Sequence, residues 1–216
     1  MGGDYRYDPP DGPIPVLHRD AHLLVVDKPA GLLTVPGKGP DKADCLIARL
    51  RADHPGIRLV HRLDTDTSGV IVFALTPAAQ AHLGRQFEHR RTGKTYVARL
   101  WGRLAPDEGL VDLPIGVDWP NRPRQHVTET GRPAQTGWRV LASSDAETRV
   151  ALTPLTGRSH QLRVHMAALG HPILGDPLYA DGLARAFPRL MLHATELTLL
   201  HPDGGARVAF RSEPPF

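Results

Sequence analysis

The sequence predicts an α+β fold built largely on antiparallel strands. Short apolar or alternating segments, which are typical of β-strands, recur along the 216 residues, whereas segments with helical periodicity are few and scattered. The chain also contains 21 Gly and 21 Pro, more than the ordinary background but fewer than in low-complexity chains. We therefore expect a folded protein rich in loops. The sequence shows no internal repeat and no long linker.

The predicted strands are apolar runs bounded by turn residues. Residues 22–27 (HLLVVD) end at a Lys-Pro-Ala-Gly turn, and residues 70–75 (VIVFAL) form a run apolar enough for a buried strand. Residues 95–102 alternate, which places Tyr96 on the same face as Leu100. Further strands are predicted over 137–141, 147–153, 192–199 and 207–210.

The helix signals are N-terminal caps followed by apolar residues at helical spacing. Thr76, followed by Pro in the first turn, predicts a helix that ends near His89. Asp44 is expected to cap a second, short helix. Ser159 is expected to cap a third, which Gly170 terminates.

The ends and the single cysteine bear on domain organisation and compartment. Residues 1–15 are rich in Gly, Pro and Asp and predict a flexible N-terminal arm, with one domain over 16–216. Cys45 cannot form an intrachain disulfide or a multi-cysteine zinc cage, which is typical of a reducing compartment. The N-terminus lacks an apolar signal stretch, and the longest apolar run is too short to cross a bilayer. We expect a soluble, cytoplasmic protein.

The basic residues are unevenly distributed. The net charge is only +3, but 22 of the 26 basic residues are arginines, which suit bidentate contacts to phosphate. Residues 85–103 contain six basic residues but only one acid, Glu88. A second basic stretch contains Arg122, Arg124, His126 and Arg132. Two such stretches in an otherwise balanced chain predict a polyanionic partner.

The segment 61–69 (HRLDTDTSG) concentrates two acids, an Arg and three hydroxyl side chains between two predicted strands. Asp64 and Asp66 copy the first positions of an EF-hand calcium loop, but the twelfth position, which requires Glu, is Leu75. Their spacing also resembles the two acids of the Asp-x-Asp-x-Thr nucleophile of haloacid-dehalogenase-like phosphatases, although a His-Arg pair interrupts the preceding apolar strand and no Asp-Asp pair follows. In an ordinary turn, the acids would only cap backbone amides.

A second unusual segment, 156–165 (TGRSHQLRVH), begins the third predicted helix. His160 and His165 would lie about 140° apart on a helix, too far to share a zinc ion. Arg and His side chains at a helix N-terminus instead favour an anion, either a phosphate or a carboxylate such as Asp64.

Four segments in order resemble the successive motifs of the RluA family of pseudouridine synthases. They are HRLDTDTSG, KTYVA at 94–98, TGRSHQLRVH and LGHPILGDPLYA. The similarity extends from about Val16 to the C-terminus and includes LVVDKPAGLLTVPG and DLPIGVDWPNRP. The last phrase resembles the short RluA subgroup, as does the lack of an N-terminal domain resembling ribosomal protein S4, for which 15 residues are too few.

The resemblance implies an α+β catalytic domain with a mixed, mostly antiparallel sheet and an RNA cleft. It implies isomerisation of uridine to pseudouridine in large-subunit ribosomal RNA, in the tRNA anticodon stem-loop, or in both. Asp64 is then the ionised carboxylate that attacks the sugar or base or removes a sugar proton, and Arg163 pairs with it. Tyr96 stacks on the target base, and Arg62 fills the gap left by the flipped uridine.

Further side chains are assigned to RNA binding on the same basis. They are His61, Arg90, Arg91, Lys94, Arg158 and His160. The reaction implies no metal and no cofactor, and we expect a monomer. The alternatives are a catalytically silent RNA-binding or ribosome-assembly protein that uses the same cleft, and the Asp-nucleophile phosphatase.

Overall fold

The computed structural model describes residues 7–216, in which strands outnumber helices. The strands are β1 (Val16–Arg19), β2 (Leu23–Lys28), β3 (Arg58–Leu59), β4 (Ser68–Ala74), β5 (Gly93–Trp101), β6 (Glu108–Asp112), β7 (Ile115–Val117), β8 (Gln125–Val127), β9 (Gln135–Ser143), β10 (Glu147–Pro154), β11 (Leu192–Leu200) and β12 (Arg207–Arg211). The helices are α1 (Leu46–Arg51), α2 (Pro77–Glu88), α3 (Gln161–Ala168) and α4 (Gly182–Arg185), with a short 3-10 helix at Pro40–Lys42.

These elements form two compact units. The first contains the described residues up to Thr92 together with Leu197–Ser212. The second contains Gly93–Glu196 and Glu213–Phe216, so the boundary falls inside β11. No helix among residues 7–216 is long and apolar enough to cross a membrane.

The first unit is organised around β4. β2 and β3 both pair antiparallel with β4, and β1 pairs antiparallel with β2. Every residue of β4 is buried, as its β-branched and apolar sequence predicts. Ala79 and Leu83 of α2 join Val70 and Val72 of β4 in one hydrophobic cluster. In the β2–β4 register, Lys28 lies opposite Gly69, so the loop after β2 and the loop before β4 meet at one end of the pair.

The second unit contains the antiparallel strand order β6-β9-β10-β5 and the separate hairpin β7–β8. Leu162 and Met166 of α3 belong to the same buried cluster as Leu100 of β5 and Leu152 of β10. The apolar face of α3 thus packs against the strands and fixes the polar segment at the start of the helix. This is the unit that carries Tyr96 and Arg163.

The predicted α+β class with a mostly antiparallel sheet is confirmed. The cap of α2 is confirmed as well, because Thr76 Oγ1 accepts a hydrogen bond from the Ala79 amide at 3.1 Å. The predicted strands correspond to β2, β4, β5 and β9–β12. Gly170 follows the end of α3 with a φ of +82°, the left-handed conformation expected of a residue that terminates a helix.

Two predicted helix caps are wrong. The N-cap of α1 is Cys45, not Asp44. The Asp44 carboxylate accepts hydrogen bonds from Arg49 Nε at 2.8 Å and Nη2 at 2.6 Å instead of capping the helix. The N-cap of α3 is His160, not Ser159, and no side-chain cap bond is formed there. Instead Gln161 Oε1, inside the helix, accepts from the Arg158 amide at 3.0 Å.

Residues 1–6 of the predicted N-terminal arm lie outside the described residues. In the remainder, Tyr7 is buried, and its hydroxyl donates to Asp44 O and accepts from the Leu33 amide, both at 3.0 Å. Arg49 Nη1 also donates to Pro10 O at 2.8 Å. These bonds attach residues 7–10 to the first unit. The division at residue 16 stays a prediction.

Candidate active site

The acidic loop that carries Asp64 lies in the first unit between β3 and β4. Leu63, the residue before Asp64, is fixed by Thr34. The buried Thr34 hydroxyl donates to Leu63 O at 2.8 Å and accepts from the Leu63 amide at 3.3 Å. The Thr67 amide donates to Asp64 O at 3.2 Å and closes the turn. Asp64 is half-buried, on a backbone fixed both before and after it.

Lys28 bonds Thr65, the residue that follows Asp64 in this loop. Its side chain is completely buried, and Nζ donates to three carbonyl oxygens, Pro29 at 2.9 Å, Leu32 at 2.6 Å and Thr65 at 2.8 Å. The Gly31 amide also donates to Thr65 O, at 2.9 Å. An ammonium has three donors, and these bonds use all of them, which offsets the cost of burying the charge. The loop after β2 and the Asp64 loop are thereby joined.

The two residues that precede Leu63 differ in their surroundings. The His61 ring stacks on Phe87 of α2 with centroids 4.5 Å apart, and its Nε2 accepts from the Val72 amide at 3.2 Å. His61 therefore packs within the first unit as well as being an RNA-binding candidate. Arg62 is exposed next to it. An exposed guanidinium two residues from Asp64 suits the predicted contact with RNA.

Lys94 and Tyr96 lie on β5 in the second unit, two residues apart and therefore on one face of the strand. Tyr96 pairs with Leu152 of β10 and packs against the hydrophobic cluster of this unit, yet it is only partly buried. Packing on one side restricts the ring while another part of it stays accessible. Such a ring is suited to stacking on a base.

Arg163 of α3 forms a buried, bidentate ion pair with Asp176. Arg163 Nε and Nη2 each donate to one carboxylate oxygen at 2.7 Å, and both side chains are almost completely buried. Asp176 Oδ1 also accepts from the amides of Leu178 and Tyr179, at 2.8 and 3.0 Å. Two parallel bonds fix the plane of the guanidinium. The predicted pairing of Arg163 with Asp64 joins residues of different units and stays a prediction.

Tyr179 contacts residues from several elements of the second unit. Its hydroxyl is 2.7 Å from His160 Nδ1 and accepts from the Gln125 amide at 2.8 Å. The Arg163 guanidinium carbon lies 5.1 Å from the centre of its ring. His160 itself has a φ of +53°, a left-handed conformation that is uncommon outside glycine. Tyr179 thus links His160 to the Arg163–Asp176 pair.

The remaining predicted RNA-binding residues lie in both units. Arg158 is half-buried, and its Nε donates to Pro133 O at 3.0 Å. Arg90 and Arg91 have exposed side chains, and their amides donate to Phe87 O and Gln86 O at the end of α2. Lys94 follows in the second unit, so the predicted basic run crosses the boundary between the units.

The histidines of the 156–165 segment have separate partners. His165 is completely buried, with Nδ1 2.9 Å from Thr136 Oγ1 and Nε2 3.0 Å from Leu113 O. Burial lowers the pKa of His165 below its ordinary value. Within residues 7–216, no three His, Cys, Asp or Glu side chains are grouped to hold a metal ion.

Sequence reasoning missed Lys28, Asp176 and Tyr179 as site residues. All three lie in segments quoted for the family resemblance, DKPAG and LGDPLYA, without a role having been assigned to them. For Lys28, the available signal was a lysine at the end of an otherwise apolar strand. For Asp176, it was an acid that follows an arginine-bearing helix.

The chain is similar to RNA pseudouridylate synthases in sequence and in structure. Residues 22–168 match the family described as RNA pseudouridylate synthase. The chain is 55% identical over 204 residues to the "Dual-specificity RNA pseudouridine synthase RluA" of Yersinia pestis, covering 93% of this chain and 99% of the relative. It is 54% identical over 218 residues to the protein of the same name from Shigella flexneri, covering 99% and 100%.

A solved structure agrees with these relatives. "Human RNA Pseudouridylate Synthase Domain Containing 1" superposes with a TM-score of 0.79 and 32% identity, covering 100% of this chain and 87% of the human one. These similarities define the class of protein, an isomerase that acts on RNA. The chain belongs to the RNA pseudouridylate synthase family, and the predicted resemblance to its RluA members is confirmed.

Proposed function

We propose that this enzyme converts specific uridines of large-subunit ribosomal RNA and of the tRNA anticodon stem-loop to pseudouridine, as a cytoplasmic monomer without metal or cofactor. The relatives named above are described as dual-specificity enzymes, which supports two classes of RNA. The reaction breaks the N1–C1′ bond, turns the uracil and forms the C5–C1′ bond. The proton on C5 is lost and N1 gains one, so no redox partner is needed.

The observation that carries the proposal is the fixed backbone on both sides of Asp64. Thr34 bonds both backbone groups of Leu63, and Lys28 with Gly31 bonds Thr65 O. A carboxylate on such a loop is held in place before RNA arrives, which a nucleophile or base requires. A protein that only binds RNA has no use for a rigidly placed carboxylate, because it would repel phosphate.

The other residues have supporting roles in this proposal. Arg163 supplies a fixed positive charge that keeps the catalytic carboxylate ionised. Tyr96 stacks on the base, and Arg62 occupies the space that the flipped uridine leaves. The basic side chains predicted to bind RNA contact phosphates and thereby position the substrate. Asp66 shapes the turn.

The first prediction is that Asp64→Asn abolishes isomerisation while RNA still binds. The amide keeps the shape of the side chain but lacks the charge of a nucleophile or base. Tritium release from RNA labelled at uridine C5 measures turnover, and fluorescence anisotropy measures binding.

Asp66→Asn is the matched control, because it makes the same change two residues away, and it should retain activity. Turnover by Asp64→Asn near the wild-type rate, after deamidation has been excluded by mass spectrometry, would contradict the assignment.

A further inference from the structure

The hairpin β7–β8 ends in a loop, residues 118–124 (DWPNRPR), that its own hydrogen bonds close. The Asp118 amide donates to Arg124 O at 3.1 Å, and the Arg124 amide donates to Asn121 O at 2.9 Å. Asn121 Nδ2 lies 3.0 Å from both carboxylate oxygens of Asp118. Two prolines restrict the backbone further. The loop therefore presents its outward side chains in fixed positions.

The most exposed aromatic side chain of this loop is Trp119. It is 68% exposed, and the guanidinium carbon of Arg122 lies 3.5 Å from the centre of its ring. Stacking of a guanidinium on an indole is favourable and orders the ring. Arg122 covers part of the indole, and most of the remaining surface faces solvent. An exposed, ordered indole is typical of a binding surface.

The base of the hairpin is attached to the site residues of the same unit. Tyr179 accepts from the Gln125 amide at 2.8 Å and contacts His160 Nδ1 at 2.7 Å. The Arg124 guanidinium carbon lies 5.4 Å from the centre of the Tyr179 ring. Through Tyr179 the hairpin is continuous with the His160 and Arg163 side chains.

The charges around Trp119 favour a nucleic acid over other partners. The basic side chains of this hairpin and of the segment that follows β8 are all exposed. They are Arg122, Arg124, His126 and Arg132. The Asp118 carboxylate is hydrogen-bonded to Asn121, and Glu129 is the other acid. One aromatic ring among several cations matches a nucleotide, which presents a π face and a phosphate. The surplus of arginines over acids in the hairpin and the segment that follows β8 favours a polyanion such as RNA.

We propose that Trp119, ordered by Arg122, is a stacking platform for an unpaired base of the RNA substrate. The proposal rests on the proposed function in that the ligand is the RNA on which the enzyme acts. The bound RNA then extends from the His160 region along the hairpin, and the stacked base is one other than the target uridine. Because every base has a π face, the platform adds affinity and orients the loop without specifying a sequence.

The test compares variants of Trp119 in the full-length enzyme, with an RNA hairpin carrying an unpaired loop uridine as the probe. Base stacking on an aromatic ring is worth about 1–3 kcal/mol, so Trp119→Ala should weaken binding roughly 5- to 150-fold. Trp119→Leu, which keeps apolar surface but no π face, should behave like Ala, and Trp119→Phe should retain most of the affinity. The salt dependence of binding should not change, since no charge is lost.

The matched control is Trp101→Ala, which removes a second exposed indole of the same unit and should leave binding unchanged. Melting temperatures establish that each variant is folded. RNA affinity and KM equal to wild type in Trp119→Ala and Trp119→Leu, with isomerisation intact, would overturn the platform and leave the proposed function standing. Absence of tritium release by the wild-type enzyme would overturn the function, while the Trp119 binding series would still decide the platform.

Discussion

The buried partner of Arg163 has two consequences. The buried carboxylate of Asp176 fixes the guanidinium through two bonds of 2.7 Å, so the direction of the charge is set by the fold. Each member of the pair also offsets the free-energy cost of burying the other's charge. Removing one partner of a buried pair leaves an uncompensated charge and costs about 3–5 kcal/mol.

We predict that Arg163→Met is close to inactive and also less stable, because it removes the cation expected beside Asp64 and leaves Asp176 without its counter-charge. Tritium release measures the first effect. Urea unfolding measures the second, with an expected loss of about 3–5 kcal/mol.

Asp176→Asn separates the two effects, since it weakens the same pair but keeps the arginine. It should lose stability and keep more activity than Arg163→Met. Normal activity in Arg163→Met, or equal loss of activity in the two variants, would contradict a direct role for Arg163 in the reaction.

The sequence predicts Asp64 and Arg163 as site residues but does not predict the residues that hold them. Two acids and an arginine between predicted strands are unusual in themselves, so residue type alone singled out the Asp64 segment. Asp176 lies 13 positions beyond Arg163, and Lys28 bonds a carbonyl 37 positions away. Such pairings arise from tertiary structure, and a lysine before a Pro-Ala-Gly turn otherwise resembles an exposed residue.

A cluster of histidines and acids connects the β1–β2 turn to the turn between β11 and β12. Asp20 Oδ2 lies 2.6 Å from His18 Nε2 and 3.0 Å from His201 Nε2. Burial opposes ionisation of Asp20, but bonds from His18, from backbone amides and from His201 outweigh it and hold the pKa of Asp20 below its usual range. His22 Nε2 lies 3.9 Å from Asp203 Oδ2 at the same place.

The pKa of His201 moves in the opposite direction. Burial alone would lower it, but the bonds to Asp203 O and to the Asp20 carboxylate, with the charges of both acids, raise it above 6.5. Its contribution to stability is therefore present below pH 6.5 and lost as the pH rises through the raised value. The contribution of Asp20 is present above its ordinary value of 3.8 and lost below it. The two act together between about pH 4 and 6.5.

We predict that His201→Gln destabilises the protein more at pH 5 than at pH 8. Urea unfolding at both values measures the difference between variant and wild type. The exposed His126 provides the control, because His126→Gln makes the same change at the surface and should have little effect on the free energy of unfolding. A His201→Gln effect that is constant or grows toward pH 8 would contradict the ion pair.

Elements with strong local signals were predicted correctly, and those defined by tertiary contacts were not. α2 has a Thr-Pro start and β4 an apolar run, so both are encoded within the segment itself. β6, β7 and β8 are short and largely exposed, and they lie among prolines and glycines without clear alternation. The cap of α3 was misjudged because the helix begins one residue later than expected, at Gln161, after His160 adopts a left-handed φ of +53°.

The residues predicted to form the active site are divided between the two units. Asp64 and Arg62 belong to the first, and Tyr96 and Arg163 to the second. Each unit fixes its own site residues. In the first unit, Lys28 and its carbonyl partners fix the Asp64 loop. In the second unit, the ion pair with Asp176 fixes Arg163, and packing against the hydrophobic cluster restricts Tyr96. The chemistry requires the target uridine to leave its stack, because stacking hides the sugar and base atoms that a carboxylate must reach.

The last prediction follows from that requirement: a short RNA hairpin with an unpaired loop uridine is a competent substrate, whereas the same uridine in a continuous duplex is not. Extraction of a paired uridine adds the cost of its lost pair and stacks, a few kcal/mol, which at 1.36 kcal/mol per tenfold slows turnover by roughly two orders of magnitude or more. Tritium release from the two C5-labelled RNAs, with and without a chelator, measures both points. We expect no effect of the chelator, because a carboxylate that attacks or removes a proton needs no metal. Equal rates on loop and duplex would show that extraction does not limit the reaction, and loss of activity with the chelator would show that a metal takes part.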